Sequence, residues 1–474
     1  LPPTPARAHG RPLTPLIGVG VVIFIATTCA AVAAAPPHKS LAQVDAEFAA
    51  AVESIARRAE TEEAFELAAI VRGWSPPEPG DRQLVFAIPP RIETPKVVTG
   101  AVAESLWKEF LDARRVRAAG TFSHAVATAE PGAPEAWCAA LALLHRALRD
   151  DPDLAEARAA AGYVRRGDRW VVPEAARRLD RGEEWDPACG WRPRGRRRHS
   201  AEDDAPRENI AAGRRFSSDH WDILSAAPLA DTAALAAGLE ETASIWRQAF
   251  GAVAGGAPAA AREPFAAVLC RDRGEYVAEL VMVEPAIART NAVYWRPTQT
   301  AWFCAAEGGD ADAPAGVPLA TVRHEAAHQL FAEAHATSPR AGETCGFWAI
   351  EAAACHLESI RRTDFGWTVG GLDAGRVPAA RRLLVEEQFH VPLAELCGLG
   401  RAALQADERL LRIYDELGGL ADFFMNGRRA RYREAFVSYL AQVYAGTAEA
   451  DTLARGCGTS YADLDAEYER HLKR

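Results

Sequence analysis

Apolar residues recur every three or four positions from Leu41 to Trp74, a spacing that predicts helix until Pro76-Pro77 and Pro79-Gly80 break it. Gln83 to Ile88 reads as one short strand before Pro89-Pro90. Helical spacing returns from Ala101 to Ala119 and again, as a pair of helices, between Pro134 and Val164. From Tyr163 to Trp191 the chain is punctuated by Trp and Gly and predicts short strands and turns. After Phe216 the pattern changes. His220 to Ser225 and Phe265 to Cys270 read as strands, separated by a long helix from Asp231 to Phe250 whose apolar face runs through Leu235, Leu239, Ile245 and Trp246. A helix from Arg273 to Val283 follows, then Ala292 to Trp295 and Thr300 to Ala305 alternate like a strand pair. From Val317 onward helix dominates.

A small sheet followed by mostly helix predicts one α+β domain over residues 215–474. Residues 34–164 form a helical region before it. Within 134–164, Ala140, Ala147, Ala157 and Ala161 make a small-residue seam and Asp151-Pro152 starts a new helix, as at the junction of two tetratricopeptide-type helices. Such arrays need about three units to bury a continuous core, and here there is one and a fraction. Residues 165–214 read as a Trp- and Arg-rich linker or small subdomain. Its run Arg192, Arg194, Arg196, Arg197, Arg198, followed by Glu202-Asp203-Asp204, has the character of a solvated connection.

The N-terminus sets the expected compartment. Residues Leu13 to Ala35 carry no charge, Arg7 and Arg11 precede them, and Ala31-Val32-Ala33 supplies small residues for cleavage. This is the pattern of a secretory signal peptide over residues 1–33, and it predicts a protein that is periplasmic, cell-surface or secreted. The competing reading is an uncleaved anchor, since about 20 apolar residues can span a bilayer. Cys29 follows Ala26-Thr27-Thr28, a poor match to a lipoprotein acceptor. Nine cysteines fall to eight when Cys29 leaves with the signal, an even number that permits disulfides in an exported protein. There is no C-x-x-C, so a zinc ribbon is not expected, and Cys270 and Cys304 sit in strand-like runs where buried thiols are expected.

Composition narrows the class without choosing a chemistry. The 474 residues are 49% hydrophobic and 25% charged, with 54 Lys+Arg against 64 Asp+Glu and a net charge of −10. That excludes a disordered chain, a collagen-like repeat and a polytopic membrane protein. An acidic total also argues against nucleic acid as a partner. Only Lys39, Lys96, Lys108 and Lys473 are lysines, so nearly all positive charge is Arg. With the Ala-richness, this reads as coding bias, and isolated Arg clusters carry little functional weight.

The chemistry lies in His324-Glu325-Ala326-Ala327-His328. Histidines at i and i+4 project from one face of a helix and can share one tetrahedral Zn²⁺. Glu325 then lies where it can take a proton from water at the metal's open position. The expected third ligand is Glu351, within Phe347-Trp348-Ala349-Ile350-Glu351 on a second helix turned back by the Gly342 and Gly346 region. This arrangement resembles the gluzincin metallopeptidases, in which H-E-x-x-H on one helix is completed by Glu on the next. The Trp348 to Glu358 segment is similar to the W-L-x-E-G-x-A-x-Y-x-E pattern of aminopeptidase-like gluzincins. The chain also resembles an exported bacterial group known only as a domain of unknown function. The likeness covers about residues 215–474.

The departures that matter are Ala352, where Gly is usual, and His356, where an aromatic is usual. Ala352 could crowd the two-helix contact. His356 is expected to be a partly exposed helical residue, the other reading being a hydrogen-bond partner to a metal ligand. Glu358 either orients a histidine through its free ring N–H or makes a surface salt bridge. His335 is two turns from His328, too far to ligate. The resemblance implies a Tyr donor for the oxyanion, and Tyr414 in Ile413-Tyr414-Asp415-Glu416-Leu417-Gly418-Gly419 is the matching residue, with a partly buried helical aromatic as the plainer reading. The strand Thr300 to Cys304 is expected as the sheet edge that pairs with a peptide, with Trp302 or Phe303 filling the core beneath it. The helices Tyr432 to Tyr444 and Tyr461 to His471 read as packing elements.

Together these residues predict an exported zinc-dependent peptidase with one Zn²⁺ per chain, acting on a peptide or protein substrate. The alternative is a degenerate zincin-like scaffold that recruits a protein partner through its N-terminal helices. A membrane enters either picture only if the N-terminal segment stays uncleaved.

Overall fold

In the computed structural model the chain is described over residues 39–76, 80–129, 136–195, 204–254, 264–304 and 316–474. The expected signal segment 1–33 lies outside the described residues, as do Arg196–Arg198 and Glu202-Asp203 of the linker. No described helix is long and apolar enough to cross a membrane.

The first helical stretch is two helices, α1 (Leu41–Thr61) and α2 (Phe65–Arg72). The chain turns between them through Glu63, whose φ of 60° is incompatible with a continuous helix. Ser40 caps α1 reciprocally: Gln43 N–H donates to its Oγ at 3.2 Å, and Ser40 N–H donates to Gln43 Oε1 at 2.7 Å. After β1 (Gln83–Phe86), α3 (Ala101–Thr128) runs well past its expected end and packs between α1 and α4 (Trp137–Asp150). A fully buried Arg117–Asp150 pair, with two contacts of 2.6 Å, locks α3 to α4. The partner helix of the expected pair is only α5 (Ala155–Ala160), after which the chain enters a hairpin of β2 (Val164–Arg166) and β3 (Arg169–Val171). Where strands and turns alone were expected there is also a helix, α6 (Pro173–Asp180), which Pro173 starts at a position that needs no N–H. A second hairpin, β4 (Glu183–Asp186) with β5 (Gly190–Pro193), closes this region.

The central sheet has the order β6-β7-β8-β10-β9, with β6 (Arg214–Ser217), β7 (Trp221–Ser225), β8 (Phe265–Cys270), β9 (Ala292–Trp295) and β10 (Thr300–Cys304). Strands β7, β8 and β10 are parallel, while β6 and β9 run antiparallel at the two edges. Helix α7 (Leu229–Phe250) connects β7 to β8, and α8 (Arg273–Leu280) follows β8. Alternation along the strands divides the faces. Ile223, Ala267, Leu269, Ala301 and Phe303 join the main core, whereas Val268, Cys270 and Cys304 pack with Tyr276 on the other side. Phe303, not Trp302, is the fully buried member of its pair. The expectation for Thr300 to Cys304 is corrected here: β10 is interior, hydrogen-bonded on both sides, and the edge is β9.

Beyond the sheet lie α9 (Leu319–Glu333) and α10 (Phe347–Glu358), then a hairpin of β11 (Arg361–Thr363) and β12 (Gly366–Val369) inside the stretch expected to be helical. Strand β1 pairs antiparallel with β12, so a strand from the helical N-terminal region completes a sheet beside α4 and α7. Gln248 on α7 clamps the same strand, accepting from Phe86 N–H at 3.0 Å and donating to Phe86 C=O at 2.9 Å. The remainder is helical: α11 (Val377–Glu386), α12 (Leu393–Gly398), α13 (Arg401–Gln405), α14 (Leu410–Ala430), α15 (Arg433–Ala445), α16 (Thr452–Cys457) and α17 (Tyr461–Leu472). Within α14 the backbone leaves helical geometry at Gly427–Arg429. All eight described cysteines are free thiols, and Cys270 and Cys304 are buried as expected.

Candidate metal centre

Helix α9 is held against the sheet by its polar as well as its apolar side chains. Val322, Ala326, Ala327, Leu330 and Phe331 are buried in the main core. Beside them Trp221 Nε1–H donates to Gln329 Oε1 at 2.9 Å, and Gln329 Nε2–H donates to Ala266 C=O at 3.0 Å. Arg323 donates to Ile360 C=O at 2.7 Å, tying α9 to the end of α10. With that face committed, His324, Glu325 and His328 project from the other.

Helix α10 is mostly apolar and is buried on every side from Phe347 to Leu357. Its alanines let α9 and α14 approach closely, and Ala352 takes its place fully buried in the core. The entry to α10 depends on Gly346. Its φ is 72°, and an added Cβ would lie 2.7 Å from Tyr439 Oη and 2.8 Å from Val443 Cγ2.

These two helices bring the three expected ligands together. His324 Nε2 and His328 Nε2 stand 3.1 Å apart, and Glu351 Oε2 lies 3.5 Å and 3.4 Å from them. Ligands at about 2.0–2.1 Å from a tetrahedral Zn²⁺ stand roughly 3.4 Å from each other, so the donor set fits such an ion. Glu351 is only 5% exposed, and a carboxylate so buried stays ionised at high cost unless a cation or protonated group stands beside it. Burial alone would raise its pKa, but His328 and His324 outweigh burial and hold it well below the usual carboxylate range.

Glu358 proves to be a partner of the site, not a surface residue. Its Oε1 lies 2.8 Å from His324 Nδ1, and Arg376 donates to both of its oxygens at 2.8 Å and 3.1 Å. Burial pushes the Glu358 pKa up, but His324 and Arg376 outweigh it and keep the carboxylate ionised. An ionised acceptor at Nδ1 fixes the tautomer that leaves Nε2 free to ligate. A second grouping of His324, Cys355 and Glu358 also has metal-ligating atoms close together. It fits an ion less well, because Glu358 is committed to Arg376 and burial pushes the Cys355 thiol pKa up.

Glu325 is anchored by the sheet edge: Tyr294 N–H on β9 donates to its Oε2 at 2.6 Å. Tyr414, on α14, lies beside Glu351. Burial raises its pKa, and Glu351 and Glu325 raise it further, which keeps the phenol a neutral donor. His356 is corrected: it is 1% exposed, packs edge-on against Phe250 and has no contact with a metal ligand. Burial lowers its pKa to about 4, so it is a neutral core residue. His335 lies beyond the end of α9, against the ring of Tyr444.

Four residues of the site escaped sequence reasoning: Arg376, and on the other flank Arg296, Arg401 and Tyr444. The arginines were indistinguishable from a background of coding bias, and Tyr444 sits on a helix whose pattern indicates only packing. No family model, curated protein or solved structure matches the chain, and the donor set with its anchored glutamate is what characterises it.

Proposed function

We propose that the chain is a zinc-dependent peptidase of the gluzincin type, exported by its N-terminal segment. The observation that carries this reading is the convergence of His324 Nε2, His328 Nε2 and Glu351 Oε2 at 3.1–3.5 Å, with Glu325 on the same helix face. When bound, zinc supplies a Lewis acid that polarises the scissile carbonyl and acidifies water. The remaining work falls to the protein. Glu325, with Oε2 fixed by the Tyr294 amide, offers its other oxygen to receive a proton from the attacking water and return it to the leaving amine. Tyr414 donates to the oxyanion that develops on the carbonyl oxygen. Strand β9 is the outer strand of the central sheet, beside α9, and an extended peptide can add along the part of its edge beyond the Tyr294 N–H that serves Glu325.

The test has two parts. Purified protein is expected to hold about one zinc per chain by elemental analysis. Glu325→Gln is expected to keep that zinc and to lose peptide hydrolysis by about 10²- to 10⁴-fold. Wild-type protein without stoichiometric zinc refutes the proposal. Zinc-loaded protein that cleaves nothing in a broad peptide library favours the scaffold alternative.

A further inference from the structure

The flank of the cleft away from Glu358 carries positive charge that the protein does not neutralise. Arg296 follows β9 directly and donates to Ser338 C=O, in the loop joining the metal helix to the glutamate helix. Arg401 opens α13. Its backbone N–H donates to Gly342 C=O in the same loop at 2.8 Å, and its guanidinium lies 4.4 Å from the centroid of Phe347, the first residue of α10. Among the described residues, neither guanidinium has a carboxylate within 4.0 Å, whereas Arg323 pairs with Glu241 and Arg376 with Glu358 and Asp415. Both side chains remain partly exposed, so a ligand can reach them.

Tyr444 closes the group. Its backbone C=O accepts from Ser338 N–H at 2.8 Å and its ring stacks on Phe331 of α9 at 5.4 Å. The residue is 3% exposed, yet its hydroxyl has no hydrogen-bond partner. A buried hydroxyl left without a partner costs stability and calls for an acceptor. Burial lowers the Arg401 pKa, Glu351 opposes that shift and Arg296 adds to it, which places these groups close together. Once Glu351 is committed to a divalent cation, two guanidinium groups and one hydroxyl lie beside it with no described anion to serve them.

We propose that Arg296, Arg401 and Tyr444 form a carboxylate-binding subsite beside the metal centre, which takes an acidic group of the peptide substrate. The carboxylate is either the free C-terminus of the peptide or an Asp or Glu side chain next to the scissile bond. Guanidinium groups match a carboxylate by paired, charge-assisted hydrogen bonds, and the Phe347 ring holds the plane of Arg401 in place. The subsite deepens the peptidase reading and rests on it for its location, not for its chemistry.

The experiment separates the two. Full-length Glu325→Gln protein, which binds without cleaving, is titrated calorimetrically with blocked peptides in matched pairs. One pair differs only in a C-terminal carboxylate against a carboxamide, and others only in an internal Glu against Gln. The acidic member of one pair is expected to bind on the order of 10- to 100-fold more tightly, and which pair shows it identifies the source of the carboxylate. Adding Arg401→Gln or Arg296→Gln is expected to bring that ratio to about threefold or less, with Arg401→Lys recovering part of it. Thermal melts confirm that each variant is folded. If Arg401→Gln is not, Arg296→Gln and the ratio in the parent protein decide. Equal binding of acidic and neutral members in the parent overturns the subsite, as does a preference that survives both Gln substitutions. Cleavage of peptides by wild type without acidic preference overturns the subsite alone. Acidic preference without cleavage of any peptide overturns the peptidase reading alone.

Discussion

Glu358 is the residue whose replacement best tests whether the metal centre works as its geometry implies. In Glu358→Gln the shape is kept and the charge removed, at a side chain only 9% exposed. The wild-type carboxylate accepts from three donors, His324 Nδ1–H and two N–H groups of Arg376. A carboxamide has one acceptor oxygen and must turn its NH₂ toward either the imidazole or the guanidinium, leaving one donor facing another. Where the NH₂ faces the guanidinium, Arg376 keeps only the weaker contact with Asp415 at 3.4 Å. Loss of such a partner to a ligating histidine weakens metal affinity about 10- to 100-fold, or roughly 1.4–2.7 kcal/mol. Competition for zinc against a chromophoric chelator reads this directly, with a melting curve to confirm the fold. Arg376→Gln should cost less, since the carboxylate at His324 remains. Zinc affinity in Glu358→Gln within about twofold of wild type would refute the claim that Glu358 orients His324.

Three further outcomes are expected. Tyr414→Phe should lower kcat on a peptide substrate by about 10²- to 10³-fold with KM little changed, and an equal loss in KM would show a binding role instead. Gly346→Ala should destabilise the chain by about 1–2 kcal/mol or more, from the left-handed backbone and the contact with Tyr439, measured by denaturant unfolding. His390 Nδ1 lies 2.6 Å from Glu416 and Nε2 lies 3.1 Å from Asp465. Burial would lower the His390 pKa, but these carboxylates outweigh it and raise it to about 9. A folded value above the unfolded one, about 6.5, means the stabilisation is complete below that pH and disappears as pH rises through about 9. The expected loss is roughly 1–3 kcal/mol, and a His390→Gln variant should show a flatter dependence of Tm on pH across that window.

Much of the C-terminal half was legible because its signals are local. The apolar spacing of α7 and the apolar run of β8 sit close to where the chain folds them, and residues at i and i+4 of α9 need no distant partner to share a face. Glu351 was within reach of the same logic, since a turn in the Gly342 and Gly346 region lets the second helix run back against the first. What remained hidden depended on neighbours far along the chain. Alternation marks β9 and β10 as strands, but which of them is the edge follows from the order β8-β10-β9, set by pairing across non-consecutive strands. The pairing of β1 with β12 is equally non-local, and hydrophobic spacing in either segment says nothing about it. His356 looked like any helical polar residue until the packing of α10 placed every side of that helix in the core.

The ligand chemistry was therefore written in one short motif and its following helix, while its environment was not. Arginine is so common in this chain that no single one stands out, and only the packing of α11, α13 and the β9–β10 turn around two helices selects Arg376, Arg401 and Arg296. The sequence by itself determined which atoms can hold a metal, because backbone periodicity places them. The tertiary structure decided which charges surround that metal, because burial and distance exist only once the chain is folded.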